Sequence, residues 1–144
     1  MLSSIDVKLI AFCRKMFVPF ARFALFVVFF WFGFLKVVGE SPASGVVQNL
    51  FERTIPIMEF SSFLILFGLF ECLIGILFLI PKTERVVIPM LLIHMATTAG
   101  PLFLLTSETW NGFLIPTLEG QYIIKNLVII ATAIGVASNL KPLK

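Results

Sequence analysis

The chain has 144 residues, of which 59% are apolar, 17 are phenylalanine and only 13% are charged. Its mean hydropathy is +1.05. A soluble domain carries about 25% charged residues, so this composition excludes a soluble enzyme. The net charge of +3 is strung along the margins of apolar runs and is not gathered in one patch, which excludes nucleic-acid binding as a main role.

Taken in order, the first segment is residues 2–18, where Val7, Ile10, Ala11, Phe17 and Val18 mix with Lys8, Arg14 and Lys15. It reads as an interfacial helix or as an early extension of the first span. Four apolar runs follow, at residues 19–38, 59–80, 86–106 and 121–140. At 1.5 Å per residue each covers about 30 Å, the hydrocarbon thickness of a bilayer. Spanning strands need only about ten alternating residues, so these continuous runs predict an all-α integral membrane protein: one domain, a bundle of four transmembrane helices. A cleaved signal peptide is the rival reading of the N-terminus. Its apolar core would be too long, and Lys36 and Glu40 would crowd the cleavage site.

Orientation follows from the basic residues. Lys8, Arg14, Lys15, Lys82, Arg85, Lys141 and Lys144 fall on one side, while the loops of the other side offer Arg53 against Glu40, Glu52, Glu108 and Glu119. The positive-inside rule then places both termini and the tight turn at residues 81–85 in the cytoplasm. The first outer loop carries Val46, Val47, Leu50 and Phe51 at helical spacing, which predicts a short amphipathic helix on the outer surface. Trp31, Trp110 and Tyr122 fall near the outer ends of their spans, as an aromatic belt would.

Ionisable side chains inside a bilayer are expensive, and here they sort into two layers. The deeper one holds Glu71 and His94, each about 12 to 14 Å above the inner boundary by helical rise, on helices joined by a five-residue turn. Gly68 and Gly75 share the face of Glu71 and allow close helix approach. Thr97 and Thr98 lie one turn from His94, with Thr132 at similar depth. Glu71 and His94 are the candidate catalytic residues, as a buried acid and imidazole that bind a polar head group or pass a proton. A simple interhelical hydrogen bond is the competing reading.

The outer layer holds Lys36, Glu59, Glu119, Gln121, Lys125 and Asn126. Lys36, Glu59, Glu119, Lys125 and Asn126 would line a cup suited to an anion or a quinone carbonyl. The competing reading is lysine stems reaching the interface beside glutamates. Arg22, one turn inside the first span, reads as snorkelling with no further role. Cys13 and Cys72 form no C-x-x-C and lie at different depths, which disfavours a thiol oxidoreductase. The single histidine excludes a bis-histidine haem within one chain, and no metal-ligand spacing is present.

The run Trp31-Phe32-Gly33-Phe34-Leu35-Lys36 resembles the W-x-G-x-x-K signature of the DoxX-like superfamily. Gly68-Leu69-Phe70-Glu71 with Pro81, followed by Thr97-Thr98 and Trp110, is similar to its YkgB branch. The run from Gly120 through Lys125-Asn126-Leu127 resembles the start of the last helix in these families. Together these motifs cover about residues 19–140. The resemblance implies a small bacterial inner-membrane four-helix protein. Some relatives are the membrane subunit of thiosulfate:quinone oxidoreductase, others are associated with oxidative or reactive-chlorine stress, and more distant ones act as membrane chaperones. It carries over Trp31, Gly33, Lys36, Glu71, Gly120, Lys125 and Asn126 as a shared polar face.

The sequence thus leads to a redox-linked membrane subunit or accessory protein, with quinone as candidate ligand and membrane lipid and a redox-enzyme subunit as candidate partners. A non-catalytic scaffold or assembly factor is the alternative, and a small transporter ranks last because no polar path continues below Glu71 and His94. The Ala131/Gly135 and Ala133/Ala137 faces suit self-association as a homo-oligomer or the docking of a partner helix.

Overall fold

The computed structural model describes residues 2–55 and 57–142; Lys144 lies outside them. The chain is helical, and four of its helices are long and apolar enough to cross a membrane. The elements are α1 (Leu2–Val37), α2 (Ser44–Thr54), α3 (Phe60–Leu79), α4 (Glu84–Thr98), α5 (Pro101–Leu104), α6 (Thr106–Thr109), β1 (Trp110–Gly112), β2 (Ile115–Pro116), α7 (Leu118–Ile124) and α8 (Asn126–Ala137).

The N-terminal segment is an extension of the first span: α1 runs unbroken through Pro19 for 36 residues. It stops at Gly39, whose positive φ of 80° suits a residue without a Cβ. The Glu40 N–H donates to Leu35 and the Gly39 N–H to Lys36, the double bond of a helix closed by a left-handed residue.

α1 packs most closely on α3, and glycines set the distance. A Cβ on Gly33 would lie 2.6 Å from the Gly68 carbonyl oxygen, and one on Gly75 2.8 Å from the Phe30 nitrogen. The shared face of Gly68 and Gly75 is therefore spent on α1. Between the helices lies a core of Leu25, Phe29, Ile74, Phe78, Leu91 and Met95, closed by Ala133 and Val136 of α8. The small-residue faces of the last span are partly used inside the chain: Ala133 is buried and Gly135 meets the Phe17 ring.

The helices are staggered. Gly33 and Lys36, at the end of α1, lie against Gly68, eight residues into α3, so the first two turns of α3 rise past α1. There they meet α2, whose Phe51 ring packs at a tilt against Phe63, centroids 4.6 Å apart, and Phe60, 5.9 Å apart. α2 is the short amphipathic helix expected in the first outer loop.

The last two spans are interrupted. The expected continuous helix at 86–106 begins at Glu84, stops at Thr98 and resumes at Pro101, where Gly100, a weak helix former, precedes a residue with no N–H for the helical ladder. The fourth span starts at Leu118, three residues earlier than expected, on a cap in which the Thr117 hydroxyl accepts from the Gly120 N–H at 3.2 Å. A turn at Lys125 separates α7 from α8. The loop between the third and fourth spans contains a hairpin that periodicity did not suggest, β1 antiparallel to β2, anchored by the Trp110 indole donating to the Leu102 carbonyl at 3.0 Å. The turn is Phe113-Leu114, with Leu114 at a positive φ of 56°, and neither residue is one of the usual turn formers.

Candidate functional site

Lys36 belongs to the deep layer, which corrects its placement in an outer cup. Its ammonium donates to Glu71 Oε2 at 2.7 Å, with both side chains 7% exposed. The second carboxylate oxygen, Oε1, faces His94 Nε2 at 3.1 Å. One carboxylate thus joins α1, α3 and α4. The stagger explains the correction: Lys36 lies beside Gly68, one turn from Glu71, and the absence of a side chain at Gly68 leaves room for the lysine stem. Lys36 Nζ also lies 3.5 Å from the Phe32 carbonyl and 5.6 Å from the centroid of the Phe67 ring, so its charge is surrounded by acceptors and π-density.

Aromatic rings wall in the imidazole. Its centroid lies 5.0 Å from that of Phe67, 5.6 Å from Phe29 and 6.0 Å from Phe70. His94 is 3% exposed, and its Nδ1 is the one buried side-chain polar atom without a partner among the described residues. Because Nε2 faces a carboxylate, the neutral imidazole carries its proton there and presents a lone pair at Nδ1. An unpartnered buried acceptor costs about 1 to 3 kcal/mol, in a site whose other polar groups are matched. Thr97 and Thr98 do not satisfy it: they donate to the His94 and Met95 carbonyls of their own helix. Thr132 likewise bonds the Val128 carbonyl.

The remaining outer residues do not gather into one cup. Lys125 is exposed, with its ammonium 4.0 Å from the centroid of the Tyr122 ring. Asn126 donates to Thr98 Oγ1 at 3.4 Å. Glu59, Glu119 and Gln121 are exposed, and among the described residues neither glutamate forms an ion pair. Gly120 has a packing role: a Cβ there would collide with the Thr109 carbonyl. A cleft of about 140 Å³ lies nearby between α4 and the last span, lined by apolar groups such as Met95, Leu102 and Ile130 with Asn126 at its edge.

Arg22 is likewise corrected from a snorkelling residue to a clamp. Its Nε donates to the Phe78 carbonyl at 2.7 Å, Nη2 to the Ile80 carbonyl at 2.6 Å, and Nη1 pairs with Glu84. It therefore caps the C-terminus of α3 and ties the tight turn to α1. Glu84 was absent from the candidates, since a carboxylate at the first residue of a helix reads as ordinary dipole compensation. Only its spacing from Pro81 hinted at a turn-facing position.

Cys13 and Cys72 are free thiols; the Cys72 Sγ lies 3.5 Å from the Phe30 carbonyl. No group of three or more His, Cys, Asp and Glu side chains arranged to hold a metal occurs among the described residues. Comparison with family models, with curated proteins and with solved structures returns no match for this chain.

Proposed function

We propose that the chain is a small bacterial inner-membrane protein of the DoxX-like kind, accessory to quinone-linked redox metabolism or oxidative-stress defence, that binds the polar head of a small amphipathic molecule at Lys36, Glu71 and His94. The observation that carries this reading is the buried, unpartnered Nδ1 of His94 beside an otherwise satisfied triad. A ligand hydroxyl, as on a quinol, would donate to Nδ1 and complete the imidazole. A proton accepted there is balanced at Nε2 by the Glu71 carboxylate, whose other oxygen accepts from Lys36. Phe67 and Phe70 are half-buried, so a head group approaching from lipid has one aromatic layer to displace. Electrons would belong to a partner redox subunit.

An N-in, C-in orientation fits the charge distribution. Contacts of Arg22 with the α3–α4 turn, of Phe17 with Gly135 and of Arg85 with the Lys141 carbonyl gather Lys8, Arg14, Lys15, Lys82, Arg85 and Lys141 at one end, against Arg53 at the other.

The test is a titration of the purified protein with a short-tailed quinol and quinone, alongside native mass spectrometry of protein extracted in mild detergent. Saturable quinol binding that is lost in His94→Leu supports the proposal, as does a co-purifying oxidoreductase subunit. Equal binding by His94→Leu removes it.

The second reading, a non-catalytic scaffold or assembly factor, is favoured by the way one carboxylate ties three helices where Gly33 and Gly68 touch. It predicts that substitutions in the triad lower stability and change no binding isotherm.

A further inference from the structure

The stagger that brings Lys36 to Glu71 also carries the other end of α1 beyond the bundle. Arg22 is level with the carbonyls of Phe78 and Ile80 that close α3, so residues before it have no α3 beside them. Phe17 still touches α8 at Gly135. The apolar stretch Ile5–Val37 counts 33 residues, about 50 Å of helix against about 30 Å of hydrocarbon.

On this arm Ile5, Leu9, Phe12, Met16 and Phe20 recur at intervals of four, three, four and four residues, a spacing that keeps them on one face. Every one is exposed, from 41% at Met16 to 69% at Phe20. Phe12, Cys13, Met16, Phe17 and Phe20 line a shallow groove of about 370 Å³. At 100° per residue, Lys8 and Lys15 flank this face on one side and Asp6 on the other, with Arg14 behind. All three basic side chains are exposed. Lys82, Arg85 and Lys141, also exposed, stand at the same end of the bundle.

We infer that residues 5–17 form a membrane-surface arm that binds an anionic leaflet, apolar face in the acyl region and Lys8, Arg14 and Lys15 among acidic head groups. Charge favours this occupant: Lys8, Arg14 and Lys15 stand at the same end of the bundle as exposed Lys82, Arg85 and Lys141, an excess of positive charge complementary to acidic head groups. Lying on the leaflet requires α1, which runs unbroken through Pro19, to bend at that residue, where the proline offers no N–H to the Lys15 carbonyl.

Cys13, inside the groove, reports on the arm when Cys72 is replaced by alanine. The full chain is placed in nanodiscs of phosphatidylcholine alone or mixed with phosphatidylglycerol, and labelling of Cys13 by a water-soluble maleimide is timed. Each basic residue near an acidic surface changes partitioning by about fivefold. Labelling is therefore expected to slow by roughly tenfold or more in the anionic discs, and Lys8→Glu/Arg14→Glu/Lys15→Glu removes the difference while leaving the helical circular dichroism unchanged. Equal rates in both lipids overturn the proposal. So does a Cys13 disulfide between copies that forms under mild oxidation regardless of lipid charge, because the face is then covered by a second chain.

Discussion

Two ion-paired sites hold this bundle together, and they differ in a single atom. At the Arg22 clamp every guanidinium nitrogen has a partner, from the Phe78 and Ile80 carbonyls to Glu84. At the triad, Lys36, Glu71 and His94 Nε2 are matched, and Nδ1 is left over. Both sites are largely buried and both join α1 to its neighbours, so burial alone does not separate a fastening from a binding site. Completeness of hydrogen bonding does, because a buried group without a partner is costly in a structural role and useful in a receptive one.

Substitutions that break the two sites should therefore behave differently. The largest effect is expected from Lys36→Met, which strands a buried carboxylate and should cost about 3 to 5 kcal/mol, read as a lowered thermal unfolding midpoint in detergent. Lys36→Met/Glu71→Gln should recover most of that loss, since the unpaired charge is gone. Next comes Gly68→Ala, whose added Cβ would lie 2.6 Å from the Gly33 carbonyl oxygen. Forcing α1 off α3 should cost about 1 to 3 kcal/mol and loosen Lys36 from Glu71, visible as faster hydrogen exchange at the end of α1. Arg22→Ala should cost about 1 to 3 kcal/mol through the unpaired Glu84 and the uncapped carbonyls, with quinol affinity unchanged; a loss of binding there would erase the contrast between the sites. His94→Leu should move stability by about 1 kcal/mol or less, because removing an unsatisfied acceptor offsets the lost bond to Glu71, yet abolish quinol binding. Smallest is Lys125→Ala, an exposed cation on an exposed ring, expected within about 0.5 kcal/mol and without effect on binding.

The spans were legible because continuous apolar runs of bilayer length have few other structures available. The pairing of Glu71 with His94 was legible for a related reason: a five-residue turn leaves two antiparallel helices little freedom in register, so counting residues from the turn gives depth. The same counting misplaced Lys36. It assumed that the first and second spans end at one interface, whereas the glycine contacts slide α1 two turns along α3, a tertiary choice invisible to hydropathy. Arg22 was misread for the same reason, since in the slid register it meets the end of α3. The outer cup of Glu59, Glu119, Lys125 and Asn126 rested on shared depth. Depth does not fix the direction in which a side chain points around its helix, and Lys125 turns to Tyr122 while Asn126 turns to Thr98. The breaks at Gly100-Pro101 and Lys125 and the hairpin between them depend on local turn chemistry that a twenty-residue apolar run conceals.

His94 is the only histidine in the chain, so its nitrogen resonances can be read without assignment ambiguity. The most direct test is nitrogen-15 NMR of histidine-labelled protein in nanodiscs, titrated with a short-tailed quinol. The account predicts a saturable change confined largely to Nδ1, with Nε2 remaining hydrogen-bonded to Glu71 throughout. An Nδ1 resonance that stays fixed to the solubility limit of the quinol would contradict it, and would leave the triad as a fastening like the Arg22 clamp.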